Sequence, residues 1–465
     1  MRIHWLYSTS AALGMFILPQ GCASDDDCPS TSALQASLDA AGPGGTVTLG
    51  SCTVAGPLRV PAGVTLTGGG EAVTVIQSTS GTAVRVEAGA GTGLSQLSVE
   101  SDGCAAVVAT GSGPVELRSL DVRASTGVGL AVEGVTTLTI EDVDVIGPVT
   151  AATADDTMPS LPPFRCGTST LATHGIVLVD VADARVTNTT VDGFSAFGVL
   201  ALRSTTTWMG GRSSNHLGTA FEVWDGSATV NALTVRNTSD GAGAVESFGV
   251  VFGGGATVTT ADLMVEDGDA FGVFHDGATV THQSLVARNN GFAGVWAQNS
   301  DDLQILGTSR IVDNAFAGVT TIGSRRVELD GAEVTGTTEG IRIDGVRTVR
   351  AGDGVHFIDS QGALRNLTMA NNERVGALFD LGGGSTSDFA ADNLMIDGSG
   401  TALGAIVQNG TIMPGWDASV QRLGATLAND MAFLGALDIA GAVGPVCFPP
   451  LDQVETAGIG PLLMR

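Results

Sequence analysis

Two carboxylates and one arginine are the most chemically suggestive group in this 465-residue sequence. Asp344 follows the segment Gly340-Ile341-Arg342-Ile343, and Asp380 stands at the same place after Gly376. Carboxylates about 5 Å apart act as nucleophile and acid in retaining glycosidases, and wider pairs act in inverting ones. Arg342 beside them predicts a partner for a carboxylate or a group that lowers a neighbouring pKa. A solvated charged strand is the alternative interpretation.

A second set of residues occupies the outward places after other glycines and predicts a sugar-binding face. Aromatic rings stack on the C–H faces of sugars, while carboxylates and amides bind sugar hydroxyls. The competing interpretation is that a loop covers these aromatics. A shift of one residue in the assumed register would turn the whole set inward. The predicted binding residues are Glu222, Trp224, Phe274, Asp276, Trp296 and Gln298.

These residues share a face because the chain repeats. A glycine followed by alternating apolar residues begins at Gly272, Gly294 and Gly318, at intervals of 22 and 24 residues, and at many other positions. A period in this range indicates stacked repeats, and the alternation within each unit is that of strands. The first and third residues after each glycine are expected to point inward, and the second and fourth outward. His275 is accordingly expected to be a buried structural residue.

The N-terminal part shows which solenoid this is. A short amphipathic segment from Leu34 leads to Gly44-Gly45-Thr46-Val47, and Pro61-Ala62-Gly63-Val64-Thr65-Leu66 precedes a glycine cluster. This order resembles the entry segment of secreted right-handed parallel β-helix proteins, the pectin-lyase-like group. The resemblance implies an all-β, single-stranded right-handed parallel β-helix with an N-terminal capping helix. It implies no single activity, because this fold carries lyases, hydrolases, epimerases, adhesins and phage spikes.

The domain organisation follows from these segments. Ser32 and Gln35 have capping-box spacing, and the glycines from Gly42 end the helix. The predicted divisions are a signal peptide at 1–21, a tether at 22–31, the cap helix at 32–45, the β-helix at 46–424 with insertions near 148–173 and 345–375, and a C-terminal cap and tail at 425–465.

The first residues predict export. Arg2 and an apolar core of signal length precede Cys22, which resembles a bacterial lipoprotein cleavage site although Leu18 lies one place too early. Lipidation of Cys22 and ordinary cleavage stay open. The protein is expected at the outer surface or in the periplasm of a bacterium, lipid-anchored or secreted, with no transmembrane helix in the mature chain. We predict a disulfide between Cys28 and Cys52, while a buried thiol is one interpretation of Cys104.

The net charge of the chain limits the classes of partner that it can bind. The chain has 48 acidic and 21 basic residues, a net charge of −27. Nucleic-acid binding needs concentrated cations, so it is not expected. An extracellular polysaccharide or a cell-surface glycan is the expected partner. No cofactor is required and no metal site is predicted; calcium remains compatible with the acidic turns, none of which has a complete ligand spacing.

Two functions remain at this level. The first is binding or processing of extracellular carbohydrate on an outer strand face, and an enzyme of this kind would be a polysaccharide-active glycoside hydrolase or lyase. The alternative is a non-enzymatic surface, adhesion or structural rod protein. Gly340 to Ile343 resembles part of the polygalacturonase Arg-Ile-Lys motif, but Asp344 replaces the lysine. The sequence has no lysine, and its single tyrosine is Tyr7, so histidine or arginine would be the base. His356 is the histidine best placed for chemistry.

Overall fold

The computed structural model describes residues 28–148, 173–239, 247–338, 341–343, 347–349, 352–373, 375–380, 389–392, 394–397, 403–408 and 426–427. Several predictions lie outside these residues. They concern the signal peptide, Cys22, nearly all of the 148–173 insertion, Asp344 and nearly all of the C-terminal cap and tail.

A single helix, α1 (Thr31–Ala41), precedes the described strands. Its N-cap is Ser30, whose hydroxyl accepts a hydrogen bond from the Ala33 amide at 3.2 Å. Leu34 and Leu38 are the buried side chains of its apolar face. Gln35 binds both the amide and the carbonyl of Arg59 at 2.8 Å instead of closing a capping box. The helix therefore covers the first coil, as expected of a cap.

The strands are short and follow one another without further helices. The N-terminal strands are β1 (Thr46–Thr48), β2 (Cys52–Ala55), β3 (Leu58–Val60), β4 (Thr65–Thr67), β5 (Thr74–Ser78), β6 (Thr82–Glu87), β7 (Gly93–Ser101), β8 (Ala105–Thr110), β9 (Pro114–Ala124), β10 (Val128–Glu133) and β11 (Thr137–Ile146). The central strands are β12 (His174–Val179), β13 (Ala184–Thr187), β14 (Thr190–Asp192), β15 (Phe197–Leu202), β16 (Thr205–Met209), β17 (Arg212–Ser214), β18 (Thr219–Trp224), β19 (Ser227–Asn231), β20 (Thr234–Arg236), β21 (Phe248–Gly253), β22 (Thr257–Ala261), β23 (Met264–Glu266), β24 (Phe271–Asp276), β25 (Thr279–Gln283), β26 (Val286–Arg288), β27 (Ala293–Gln298), β28 (Asp302–Leu306), β29 (Arg310–Val312), β30 (Ala317–Ile322), β31 (Val327–Asp330) and β32 (Glu333–Thr335). The remaining strands are β33 (Ile341–Ile343), β34 (Arg347–Val349), β35 (Asp353–Ile358), β36 (Gly362–Arg365), β37 (Thr368–Ala370), β38 (Val375–Asp380), β39 (Phe389–Asp392), β40 (Met395–Asp397), β41 (Leu403–Gln408) and β42 (Thr426–Leu427).

Each regular coil contributes three strands, and equivalent strands of successive coils pair in parallel. One ladder forms a 14-stranded sheet that runs from β3 through β6 and β8 to β41. The long strands β7, β9 and β11 pass through both of the other ladders, which therefore count as one sheet. This is a right-handed parallel β-helix, and the fold predicted from the sequence is confirmed.

Corner residues in the left-handed region separate the three strands of a coil. In one coil these are Gly277, Ser284 and Asn289, with φ of 65°, 56° and 54°. Glycine and asparagine tolerate this conformation better than other residues, which explains why they recur at the corners.

The interior is one continuous apolar core along the solenoid. Val273, Val295 and Val319 are the first residues after their glycines, and all are fully buried inside. The second residues, Phe274 and Trp296 among them, belong to a separate apolar cluster on the outer side. The predicted alternation of inward and outward residues is therefore confirmed.

The later insertion lies earlier than 345–375. Strand β30 pairs directly with β35, so Gly354 and not Gly340 begins the next unit of the 14-stranded sheet. Ile341–Ile343 forms an antiparallel hairpin with Arg347–Val349 outside the stack. Both glycines precede alternating apolar residues, so the local pattern could not distinguish a coil strand from a hairpin strand. Within the described residues no helix is both long and apolar enough to span a membrane.

Candidate functional site

On the outer side of the 14-stranded sheet, the residues before and after the repeat glycine of each strand lie close together. Each glycine of the repeat turns its α-carbon toward the interior: a β-carbon at Gly272 would lie 2.6 Å from the buried amide nitrogen of Asn290. The strand bends there, and the residue before the glycine approaches the second residue after it. The rings of Phe271 and Phe274 are consequently 5.6 Å apart. We call this row of residues the outer seam; it consists of the first and fourth residues of β12, β15, β18, β21, β24, β27, β30 and β35.

Aromatic side chains fill the middle of the outer seam. Phe274 packs against Phe248 at 5.1 Å, and Trp296 packs against Phe271 at 5.7 Å and Phe292 at 5.5 Å. Phe274 is 4% exposed and Trp296 is 1% exposed. An open aromatic platform at these two residues was the expectation, but both are buried and in contact with neighbouring rings. Their part in binding stays a prediction.

Phe292 and Phe316 close this cluster from the adjoining turn. Their rings stack at 4.4 Å with 13° between their planes. Phe316 has a φ of 61°, a left-handed conformation that is strained for a bulky residue.

Glu222 of β18 and Asp353 of β35 are the carboxylic acids of the outer seam. The register neighbours of Glu222 are Leu200 and Val251, both buried. The side chain is buried among these apolar groups, and burial raises the pKa of Glu222 to about 8. No charged group contributes to the shift. Glu222 is therefore mostly protonated at neutral pH and can donate a proton.

Trp224 and Asp276 form the accessible edge beside Glu222. Trp224 lies two residues after Glu222 on the same face and is half-buried. Its ring lies over Gly253 and Gly254, since a β-carbon at either glycine would collide with it. Gly253 pairs with Trp224 on one side and with Asp276 on the other. Asp276 is also half-buried. These two residues are thus the open members of the predicted binding set.

A second polar group lies farther along the outer seam. Trp296, Thr320 and His356 are register neighbours on three consecutive coils. His356 Nδ1 lies 3.5 Å from a carboxylate oxygen of Asp353, and both side chains are buried. Gln298 belongs to the same region and is 1% exposed. His356 and Gln298 were expected from the sequence, and Thr320 fits the outward rule as the second residue after Gly318. Asp353 was missed, because only the bend places the residue before the glycine on the outer side.

The predicted catalytic group is not brought together. Arg342 lies on the hairpin strand β33, and Asp344 lies outside the described residues. Asp380 is on β38, where its register neighbour is Ile358 of β35. The place expected for Asp344 is therefore occupied by an isoleucine. Because Asp344 itself lies outside the described residues, its pairing with Asp380 stays a prediction. A catalytic role for any of the three residues receives no support from this arrangement.

The bonding states of the cysteines differ from those predicted. Cys28 and Cys52 are neighbours, as predicted, but both are free thiols. Burial, with a smaller contribution from Cys28, raises the pKa of Cys52 to about 11. Cys104 is disulfide-bonded, so it is not the buried thiol that was one interpretation, and its partner lies outside the described residues.

Buried histidines inside the solenoid are structural. The Nε2 atoms of His275 and His282 are 3.3 Å apart, and His282 Nδ1 is 2.7 Å from the Thr260 hydroxyl. Burial lowers the pKa of His282 to about 3. Among the described side chains, no group of three or more His, Cys, Asp or Glu residues is arranged to hold a metal ion.

Comparison with known proteins identifies related folds but no family. No family model and no curated protein matches the chain. The A-module of the Azotobacter vinelandii mannuronan C-5 epimerase AlgE6 is a similar solved structure, at 15% identity, 84% coverage of this chain, 98% coverage of that chain and a TM-score of 0.46. The periplasmic alginate epimerase AlgG is similar at 10% identity, 83% coverage of both chains and a TM-score of 0.39. These likenesses concern the fold alone.

Proposed function

We propose that this protein binds and hydrolyses an extracellular glycan at the outer seam, with Glu222 as the proton donor. One observation carries the proposal: Glu222 is a buried carboxylic acid on the outer side of the solenoid, next to the half-buried Trp224. Burial, without a charged group, accounts for its raised pKa. Buried ionisable groups with shifted pKa values concentrate at functional sites. A carboxylic acid that keeps its proton near pH 7 suits protonation of a glycosidic oxygen.

Trp224 and Asp276 have complementary parts in this proposal. The indole of Trp224 supplies an apolar face for a sugar ring. Asp276 supplies the carboxylate that activates water. The backbones of Glu222 and Asp276 are roughly 12 Å apart, from two coil steps of about 4.8 Å and two residue rises of about 3.3 Å. This backbone separation exceeds the carboxyl spacing of both retaining enzymes, about 5 Å, and inverting enzymes, about 6.5–9.5 Å. The two side chains would have to lean toward each other, and they reach the inverting spacing first.

The test is a glycan array followed by a reducing-end assay on each bound glycan. Glu222→Gln should lower turnover at least a hundredfold while binding persists, because general acids contribute about 10²–10⁴ in rate. Trp224→Ala should weaken binding. Glu100→Gln is the matched control, since Glu100 is a half-buried glutamate of β7 on another ladder. Full turnover in Glu222→Gln would refute the assignment.

A second candidate function, a non-enzymatic rod or adhesin, is favoured by the burial of the predicted binding face. Glu222, Phe274, Trp296 and Gln298 are each no more than 5% exposed. If a folded preparation bound no glycan and produced no reducing ends, the rod would be the better account.

The location proposed is outside the cytoplasm. Residues 1–21 support export, and Cys22 supports either lipid anchoring or secretion after ordinary cleavage. Mass spectrometry of the mature N-terminus in a bacterial host distinguishes a diacylglyceryl-modified Cys22 from an unmodified terminus.

A further inference from the structure

Three buried polar atoms on neighbouring coils have no hydrogen-bonding partner among the described residues. They are the indole nitrogen of Trp296, the hydroxyl of Thr320 and the amide oxygen of Gln298. Their side chains are 1%, 0% and 1% exposed, respectively. An unpaired buried polar group costs about 1–3 kcal/mol. Three of them on two adjacent strands, β27 and β30, therefore need an explanation, and a ligand is one.

The strand register places these three residues next to one another. Trp296 and Thr320 are register partners across β27 and β30, and Gln298 follows Trp296 by two residues on the same face. Thr320 is in turn the register partner of His356, which lies beside Asp353. Three coils span about 10 Å at 4.8 Å per step, roughly the reach of a short oligosaccharide segment.

We propose that Trp296, Gln298 and Thr320 form a subsite for the hydroxyl groups of a neutral sugar residue. The indole N–H donates, the amide oxygen accepts and the threonine hydroxyl does both, which matches adjacent hydroxyls that are donors and acceptors together. None of the three groups is charged, so a carboxylated sugar gains no ion pair from them. The inference rests on the proposed function in taking the ligand to be a glycan.

Phe316 belongs to the same apolar cluster as Trp296 and is itself 1% exposed. It precedes Ala317 of β30, its ring stacks on Phe292, and its carbonyl accepts a hydrogen bond from the Asp353 amide at 3.1 Å. Its left-handed backbone stores strain of about 1–3 kcal/mol. Entry of a ligand would require Phe316 and its stacking partner Phe292, which are 1% and 6% exposed, to move together.

The experiment is calorimetric titration of the full chain with maltohexaose, cellohexaose, laminarihexaose and chitohexaose. Thr320→Val keeps the side-chain shape and removes the hydroxyl, and Trp296→Phe removes the indole nitrogen. Each variant should bind the recognised oligosaccharide about fivefold to tenfold more weakly, with a melting temperature equal to or above that of wild type. Phe316→Gly should speed association. Thr281→Val, on β25 of another ladder, is the matched control and should bind normally.

The outcomes separate this inference from the proposed function. Unchanged affinity in Thr320→Val and Trp296→Phe would overturn the subsite and show that ordered water alone meets these atoms, even if Glu222-dependent cleavage continues. Thr320-dependent binding without any cleavage would keep the subsite and refute hydrolysis. If wild type bound none of the four oligosaccharides, the subsite would be overturned.

Discussion

The apolar surroundings of Glu222 in the outer seam raise its pKa, and the proposed function depends on that raised pKa. A carboxylic acid in an apolar site resists ionisation because the charged form loses its hydration. The protonated form that this favours is the one that can act as an acid at neutral pH. The same shift makes the stability of the fold depend on pH, so the residue can be examined without knowing the substrate.

The contribution of Glu222 to stability should fall as pH rises from 4.5 to 8. The pKa of Glu222 is raised from 4.5 to about 8, so the folded state holds a proton that the unfolded state releases in this window. The loss of unfolding free energy caused by Glu222 is absent below pH 4.5. It reaches at most about 5 kcal/mol above pH 8, at 1.36 kcal/mol per pKa unit. Glu222→Gln should flatten this slope in denaturant titrations. An unchanged slope would show that Glu222 ionises normally.

His216 predicts the opposite slope at acidic pH. Burial lowers its pKa from 6.5 to about 4, while Phe194 donates a backbone hydrogen bond to its Nδ1 at 3.2 Å. The unfolded state therefore binds a proton below pH 6.5 that the folded state refuses, and stability is lost as pH falls. The loss is about 3 kcal/mol by pH 4. His216→Gln should reduce this slope in urea titrations between pH 7 and 4; an equal slope would contradict the assignment.

At the scale of the element, the turns matter as much as the strands. Buried side-chain amides form a ladder in the turns: the amide nitrogen of Asn290 donates to the side-chain oxygen of Asn314 at 2.9 Å, and Asn314 donates to the Ala287 carbonyl at 2.9 Å. Buried amides of this kind satisfy the backbone of one coil with the side chain of the next. Phe292 and Phe316 also stack coil on coil, in the outer cluster and not inside the solenoid.

Asn314→Ala should destabilise the protein by about 3 kcal/mol. Asn314 is fully buried and its side chain makes three hydrogen bonds, each worth about 1 kcal/mol, with partners left unpaired after truncation. The control is Asn289→Ala, which removes one exposed bond to Asp267 and should cost about 1 kcal/mol. Chemical denaturation measures both. Equal losses in the two variants would mean that the internal ladder adds no special stability.

At the scale of the whole molecule, the solenoid depends on its ends, because each coil is stabilised by its neighbours. Helix α1 closes the N-terminal end over Leu34 and Leu38. The Cys28 and Cys52 thiols lie beside this junction, one before the helix and one in the first coil. An oxidising compartment would join them and tie the cap to the stack.

Oxidation should therefore stabilise the capped end. Exposed Cys28 is the thiol accessible to oxidant, and the pKa of about 11 at Cys52 keeps that thiol protonated. A disulfide closing this loop is worth about 3 kcal/mol. Non-reducing peptide mapping after mild oxidation should find the Cys28–Cys52 link, and Cys28→Ser should abolish both the link and the gain in melting temperature. A stability gain that survives Cys28→Ser would exclude this mechanism.

The net charge of −27 also acts on the whole molecule. Many arginines are engaged in ion pairs, as Arg203 is with Asp180 at 2.8 Å. Few of the described arginines therefore remain free to attract a polyanion, which agrees with a neutral ligand for the outer seam.

The amino-acid sequence by itself determined the coil period, the cap helix, the inward and outward faces and the pairing of Cys28 with Cys52 as neighbours. These follow from local rules: strand alternation, glycine at fixed intervals and helix-terminating residues. The sequence did not distinguish Gly340 from Gly354 as the start of a coil, because both begin the same local pattern. Only pairing with β30 distinguishes them. The sequence could not show that Phe274 and Trp296 are covered, or that Asp353 joins His356. Those features depend on how far each strand bends at its glycine and on which side chains of the neighbouring coils then meet, and both are properties of the packed stack.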